Sequence, residues 1–454
     1  MSNEPFKAAT AKVVITPPLG TLINGDFINH YACRVHDELY AKALVLCNGQ
    51  QTLAIVVVDI CAMQKDFIDE VKSLIGNQTG LPAENIMLSA THSHATGSVT
   101  SLLLGAADHA YRQKLPGLIA RSVSLACQEL RPARLAFGAV KAPEHLRCRR
   151  YHMEAGYEAF NPVTDQPERV KTNPFGGETA ILEPVAPVDP ELAYMVLQST
   201  DGQWLGLLAN YSLHYVGDWE NGMLSADYFG CFAEEVQRLL AAGTGFNAIM
   251  SNGTSGDVNI WDFKDQGRYP TGTLQKSRLI GRELAERVVP SLNGLHWDTS
   301  PCLAAAFELV PVPRRETTPE AIERAKSILA NASLESICEI DQENLRQIYA
   351  RECLLLQEYQ AVTSFPIQAF RIGQGMIGAL GGEFFSETGL WLKSRSPFKR
   401  YFTITMANGY TGYVPPAQEL ALGGYETWLC RSSYLAAPSE ALIRQRLHKL
   451  LQNL

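Results

Sequence analysis

The chain alternates short, densely apolar runs with stretches whose apolar residues recur at helical spacing. Leu53-Ala54-Ile55-Val56-Val57-Val58-Asp59 reads as a strand buried on both faces. Phe67, Ile68, Val71, Leu74 and Ile75 then repeat on one face of a helix. The pattern predicts a strand at 85–88, a helix at 115–126 and a strand at 133–138. Runs at 194–198 and 205–210 flank Asp201-Gly202, a dipeptide that suits a hairpin turn. A helix at 229–240, a short strand at 248–250 and a helix at 279–289 follow. This alternation predicts an α/β fold, a mixed sheet core with flanking helices.

The pattern changes near residue 316. Thr318 can cap a helix that starts with Pro319 in its first turn. A second helix, at 342–360, carries Leu345, Ile348, Cys353 and Leu356 on its apolar positions. Together they predict an inserted helical hairpin at about 318–360, expected to serve as scaffold or as the contact of a homo-oligomer. From 368 to 412 the chain returns to β-rich runs separated by turns, and no internal repeat is present.

Composition narrows the classes. With 46% hydrophobic and 19% charged residues, the 454-residue chain has ample material for a folded core. A net charge of -8 offers no footprint for nucleic acid or anionic membrane, so the expected partner is a small-molecule substrate. The start, Met1-Ser2-Asn3-Glu4-Pro5-Phe6-Lys7, does not read as a secretory signal. No apolar run approaches the roughly 18–20 residues of a membrane span, so no stable membrane association is expected. Ten cysteines are scattered with no C-x-x-C pair, which argues against a zinc ribbon or a dithiol redox site. Reduced thiols, and with them a cytoplasmic location, are the expectation.

Candidate chemistry gathers where β-rich runs end. One run leads into Thr91-His92-Ser93-His94, and side chains two apart on a strand share a face, so both imidazoles can aim at one point. A second run leads to His214, a third to Gly381-Gly382-Glu383, and a fourth to Asn408 and Tyr413. Ligands of open α/β sheets sit beyond such strand ends. Two imidazoles, a carboxylate and a phenol form a nitrogen- and oxygen-rich set that suits zinc. Each also fits a structural role: His214 as a hydrogen-bonded core histidine, Glu383 as the cap of a following helix, Tyr413 as a packed aromatic. Asp227 reads as the N-terminal cap of the helix after it.

Five strings occur in order: Thr91 to His94, Asn210 to His214, Ser255-Gly256-Asp257-Val258-Asn259, Gly382-Glu383, and Asn408 to Tyr425. Taken together they resemble the catalytic domain of neutral/alkaline non-lysosomal ceramidases over nearly the whole chain. The resemblance implies one catalytic domain, 1–454, with Zn2+ held by His92, His214, Glu383 and Tyr413. It also implies that His94, Arg149 (with Arg150 beside it) and Tyr425 face the substrate.

Two departures matter. Asn259 stands where the family carries a serine, and the chain ends soon after the tyrosine motif, where the family continues into an immunoglobulin-like domain. Ceramide is therefore not the expected substrate, and the chain resembles a divergent, cytoplasmic, bacterial-type member. The expected activity is zinc-dependent cleavage of an amide (N-acyl) bond by metal-activated water. His94 or Asp257 would move the proton, Tyr425 or His94 would stabilise the oxyanion, and Asn252, Asn259 and Arg149 would bind the substrate's polar end. The alternatives are a zinc esterase or lactonase acting on a small hydroxylated substrate, an acyl transferase, and a non-catalytic binding protein that retains the fold.

Overall fold

The computed structural model describes residues 4–265 and 267–454. Its centre is an eight-stranded mixed sheet. In spatial order the strands are Asn247–Asn252, Trp204–Tyr211, Glu191–Ser199, Arg131–Lys141, Lys7–Val14, Tyr40–Cys47, Thr52–Val58 and Ile86–Ala90. The pairs at the two edges are parallel and the five between them antiparallel.

Alternation along these strands separates two cores. Ala43, Val45, Ala54, Val56 and Leu88 face the helices Lys65–Thr79 and His109–Gln128. Their neighbours Leu44, Leu46, Ile55, Val57 and Met87 face a second sheet. Farther along the first sheet, Leu207, Ala209, Ala248 and Met250 pack on the helices Asp227–Leu239 and Gln275–Ser291.

The second sheet has four strands, in the order Leu303–Pro313, Val362–Ile372, Gly375–Leu380 and Arg400–Ile404. Phe370, Ile377, Phe402 and Ile404 meet the first sheet. Ile367, Met376 and Tyr401 pack on the opposite face, in a core shared with the helices Ser386–Arg395 and Ser439–Asn453. The result is helices, sheet, sheet, helices. The expected alternation of 53–289 is present. The strands Lys7–Val14, Tyr40–Cys47 and Leu303–Pro313 and the last helix belong to no motif read from the sequence.

The expected helical hairpin is also present, as Pro319–Leu329 and Gln342–Leu355, with Thr318 accepting a hydrogen bond from the Ala321 N–H. Ala325, Ala350 and Cys353 form its own small core. No helix among the described residues is long and apolar enough to cross a membrane. All ten cysteines are free thiols.

One connection positions the site. Beyond Ile404, the Thr405 N–H donates to the Asn252 carbonyl at 3.0 Å, the Ala90 N–H donates to Met406 at 3.1 Å, and the Asn408 N–H donates to Leu88 at 2.8 Å. Residues 405–408 thus bond to both edge strands of the eight-stranded sheet. Met406 and Asn408 both take left-handed backbone, φ 54° and 60°, to make these turns. The ends of Ile86–Ala90 and Asn247–Asn252 are drawn together by this segment, and the Nδ2 of Asn252 reaches the Thr91 carbonyl at 3.3 Å.

Candidate metal centre and active site

His92 follows the strand end at Ala90 and has φ 69°. The shared-face argument for His92 and His94 therefore does not describe this structure, because the strand stops before either residue. A left-handed turn at His92 brings the rings together instead, perpendicular, with centroids 4.7 Å apart and Nε2 atoms 3.3 Å apart. Such a conformation is costly for a histidine and persists where the surroundings over-determine it.

His92 Nδ1 donates to the Cys61 carbonyl at 2.8 Å, so when the ring is neutral its lone pair is on Nε2. His214 Nδ1 donates to the Ser255 carbonyl at 3.1 Å, with the same consequence. Both Nε2 atoms face one carboxylate oxygen, Glu383 Oε2, at 3.4 and 3.7 Å. The other oxygen, Oε1, accepts from the Tyr410 hydroxyl at 2.9 Å, whereas Oε2 has no hydrogen-bond partner. His92, His214 and Glu383 are 2%, 3% and 4% exposed, so water does not solvate them freely.

Three buried acceptor atoms that converge in this way call for positive charge among them, either a proton on His92 or a cation, and only a cation serves His214 as well. Their ligand atoms lie within 4.8 Å of one another, and a second such group, Cys61, His92 and His94, shares His92. The electrostatics show the same demand for positive charge beside the carboxylate. Burial opposes a charged His92, yet the Glu383 carboxylate and Cys61 together outweigh it and hold the ring well above the usual histidine range. Burial alone would raise Glu383, but His92 and Arg149 hold it below the ordinary value. Burial, with Arg149 and His92 beside it, pushes His214 well below the histidine range. Burial, with His92 and Arg149 nearby, does the same to His94.

Tyr413 pairs in parallel register with Glu383 on adjacent short strands, so the two side chains are neighbours. Its oxygen accepts from Arg149 Nη2 at 3.0 Å. Tyr425 stands edge-on to Tyr413, with centroids 5.6 Å apart. His92, His94, Glu383, Tyr410, Tyr413 and Tyr425 line one cavity of about 30 Å³, room for a water molecule. It adjoins an open cleft of about 350 Å³, and Gly25, Asp26 and His94 belong to both. Gly25, at φ 117°, presses against the His94 ring so closely that a Cβ there would lie 2.2 Å from it.

The remaining expected site residues are held in hydrogen-bond networks. Arg149 Nε donates to Glu426 at 2.7 Å and Nη2 also to the Gly256 carbonyl at 2.8 Å. Arg150 is spent on Glu426 at 2.8 Å, on Glu419, and on the Gly423 carbonyl. Asp257 Oδ1 accepts from the Ser386 N–H at 2.7 Å and its hydroxyl at 3.0 Å, and burial pushes its carboxyl up to about 6. Asn252 accepts from Ser255 at 2.8 Å. Asn259 donates to Asn173 and accepts from the Trp261 N–H at 3.0 Å.

Asp227 does more than cap. The helix boundary is at residue 226, and Asp227, itself at φ 56°, accepts from the first-turn N–H of Tyr228 with Oδ1 and from the Val216 and Gly217 N–H groups with Oδ2, at 2.9 and 3.2 Å. It thereby ties down the loop that carries His214. Tyr410, Glu426 and Asp227 were not read as site residues. The adjacent arginines at 149 and 150 were the available signal for Glu426, since buried guanidinium groups require carboxylates.

No protein-family model and no curated protein sequence matches the chain. Solved structures do. The neutral ceramidase from Pseudomonas aeruginosa superposes with a TM-score of 0.70 at 17% identity, over 99% of this chain and 75% of that one. A ceramidase complexed with C2 gives a TM-score of 0.72, also at 17% identity and the same coverage. Over nearly its whole length, therefore, the chain has a neutral ceramidase-like fold.

Proposed function

We propose that this protein is a metal-dependent hydrolase that cleaves an amide (N-acyl) bond with water. The observation that carries the reading is the meeting of Nε2 of His92 and Nε2 of His214 on the unpartnered Oε2 of Glu383. The amide specificity draws on the ceramidases among its structural neighbours.

His92, His214 and Glu383 would hold a divalent ion, with Tyr413 beside them, and the nitrogen- and oxygen-donor set suits zinc. Such an ion supplies Lewis acidity, which polarises a carbonyl and brings the ionisation of water near neutrality. The Cys61 and Ser255 carbonyls fix the histidine tautomers, and Tyr410 fixes the carboxylate. Arg149 holds the Tyr413 hydroxyl in place, and Tyr425 lines the same cavity, so both phenols can donate to the oxygen of a bound carbonyl.

Burial keeps His94 neutral at pH 7, and it stands between the cavity and the open cleft. It can take the proton that water loses as the oxygen bonds to the carbonyl carbon. It then delivers that proton to the nitrogen as the C–N bond breaks, which leaves a carboxylic acid and an amine. Asn259 is spent on Asn173 and Trp261 and has no part in this scheme.

The test is an assay of zinc-loaded protein against N-acyl amines, esters and lactones. Amide hydrolysis abolished by His214→Ala supports the reading. Cleavage of esters or lactones alone replaces it with an esterase, and no cleavage by protein carrying stoichiometric metal overturns it.

A further inference from the structure

The cleft outside the metal centre has a chemistry of its own. At its inner end the His94 ring stacks on Tyr215, with centroids 3.8 Å apart and planes 29° apart. Tyr215 in turn faces Trp219 at 5.5 Å and 38°. The three rings make a continuous aromatic wall that runs outward from His94.

Polar groups stand beside this wall. The Tyr215 hydroxyl, the Trp219 indole N–H and the Asn221 side-chain amide make no hydrogen bond to a described residue, so their donors are unspent. Asp26, 61% exposed at its side chain, adds a carboxylate whose Oδ2 lies 3.0 Å from His30 Nε2. Aliphatic lining comes from Ile23 and Met223, too little to cover a long acyl chain. Such a chain would also take these donors and the carboxylate out of water without giving them partners.

We infer that this cleft binds a polyhydroxylated ring, a saccharide-like group whose N-acyl substituent enters the metal centre past His94. The C–H face of such a ring packs on the phenol and indole faces. Its hydroxyls exchange hydrogen bonds with the Asp26 carboxylate and with the Tyr215, Trp219 and Asn221 donors. The orientation of the acyl group rests on the hydrolase reading, whereas the ring subsite rests on the cleft alone.

Calorimetric titration of the zinc-loaded full-length protein tests this, with N-acetylglucosamine as the probe and N-methylacetamide as the amide without a ring. The expected result is saturable binding of N-acetylglucosamine and none of N-methylacetamide over the same range. Trp219→Ala should weaken binding at least tenfold and Trp219→Phe should restore most of it. Asp26→Asn, an isosteric change at an exposed position, should weaken binding at least threefold. No binding of N-acetylglucosamine, or equal binding in wild type, Trp219→Ala and Asp26→Asn, overturns the inference. Acetate release is followed in the same samples. Ring-dependent binding without release would remove the hydrolase reading and leave the subsite standing. Amide cleavage without ring-dependent binding would do the reverse.

Discussion

Nε2 of His92 stands 3.4 Å from Oε2 of Glu383 while Nδ1 of the same ring donates to the Cys61 carbonyl. With its one proton committed to the backbone, the neutral imidazole turns a lone pair toward a carboxylate. His214 repeats the arrangement, with Ser255 on one side and Glu383 on the other. Either a protonated His92 or a metal ion resolves the repulsion, and the second also satisfies His214.

Tyr410→Phe keeps the ring and removes the hydroxyl that holds Glu383 Oε1. Metal affinity should fall about 10–100-fold, the range for loss of a group that orients a ligand. Competition with a chromogenic chelator measures it. Unchanged affinity would mean that Tyr410 does not orient the carboxylate.

His94→Ala should retain the metal, because the His92, His214 and Glu383 group is complete without it. kcat should fall about 10²–10⁴-fold, as expected for a lost proton-transfer group. Metal content and steady-state rates on one preparation check both halves. Loss of the metal would place His94 among the ligands.

Glu426 joins Arg149 to Arg150 and also accepts from Thr172. Removing it with Glu426→Ala leaves buried guanidinium charge uncompensated and should cost about 3–5 kcal/mol in urea unfolding at pH 7. Burial alone would raise this carboxyl, but Arg149 and Arg150 hold it below the ordinary glutamate value. Because its folded pKa is the lower one, the unfolded chain binds the proton first. The stability it contributes is therefore present above the unfolded value of about 4.3 and is lost as pH falls through the folded one. Wild type should lose stability across that acid window, and Glu426→Gln should lose less. Equal acid slopes would contradict the assignment.

Asp227→Ala orphans the Val216 and Gly217 N–H groups and should destabilise the fold by about 1–3 kcal/mol. Because these residues follow His214, metal affinity should also drop. Thermal unfolding with and without metal separates the two effects, and an unchanged affinity would uncouple the loop from the centre.

Much of this architecture is legible along the chain. Buried runs such as 53–59 announce strands because apolar density and length suffice. The helical hairpin is equally plain, since Thr318 and Pro319 mark its start by local chemistry. What stays hidden is whatever depends on distant partners. Nothing near His92 indicates that a left-handed turn, not strand alternation, aims its ring. The bridging of both sheet edges by residues 405–408 rests on backbone hydrogen bonds that no side-chain pattern encodes. Tyr410 and Glu426 sit within or beside a recognisable motif, yet their targets lie elsewhere in the chain. Asp227 sits where a cap would, and its own left-handed backbone also turns the carboxylate toward another loop.

The central claim is that His92, His214 and Glu383 form one metal site. Metal content, measured by elemental analysis on wild type, His92→Ala, His214→Ala and Glu383→Gln after dialysis against trace zinc, tests it most directly. The account predicts one equivalent in wild type, loss of tight binding in all three variants, and amide hydrolysis that chelation removes and zinc restores. Full metal occupancy in His92→Ala, or full activity in metal-stripped wild type, would contradict it.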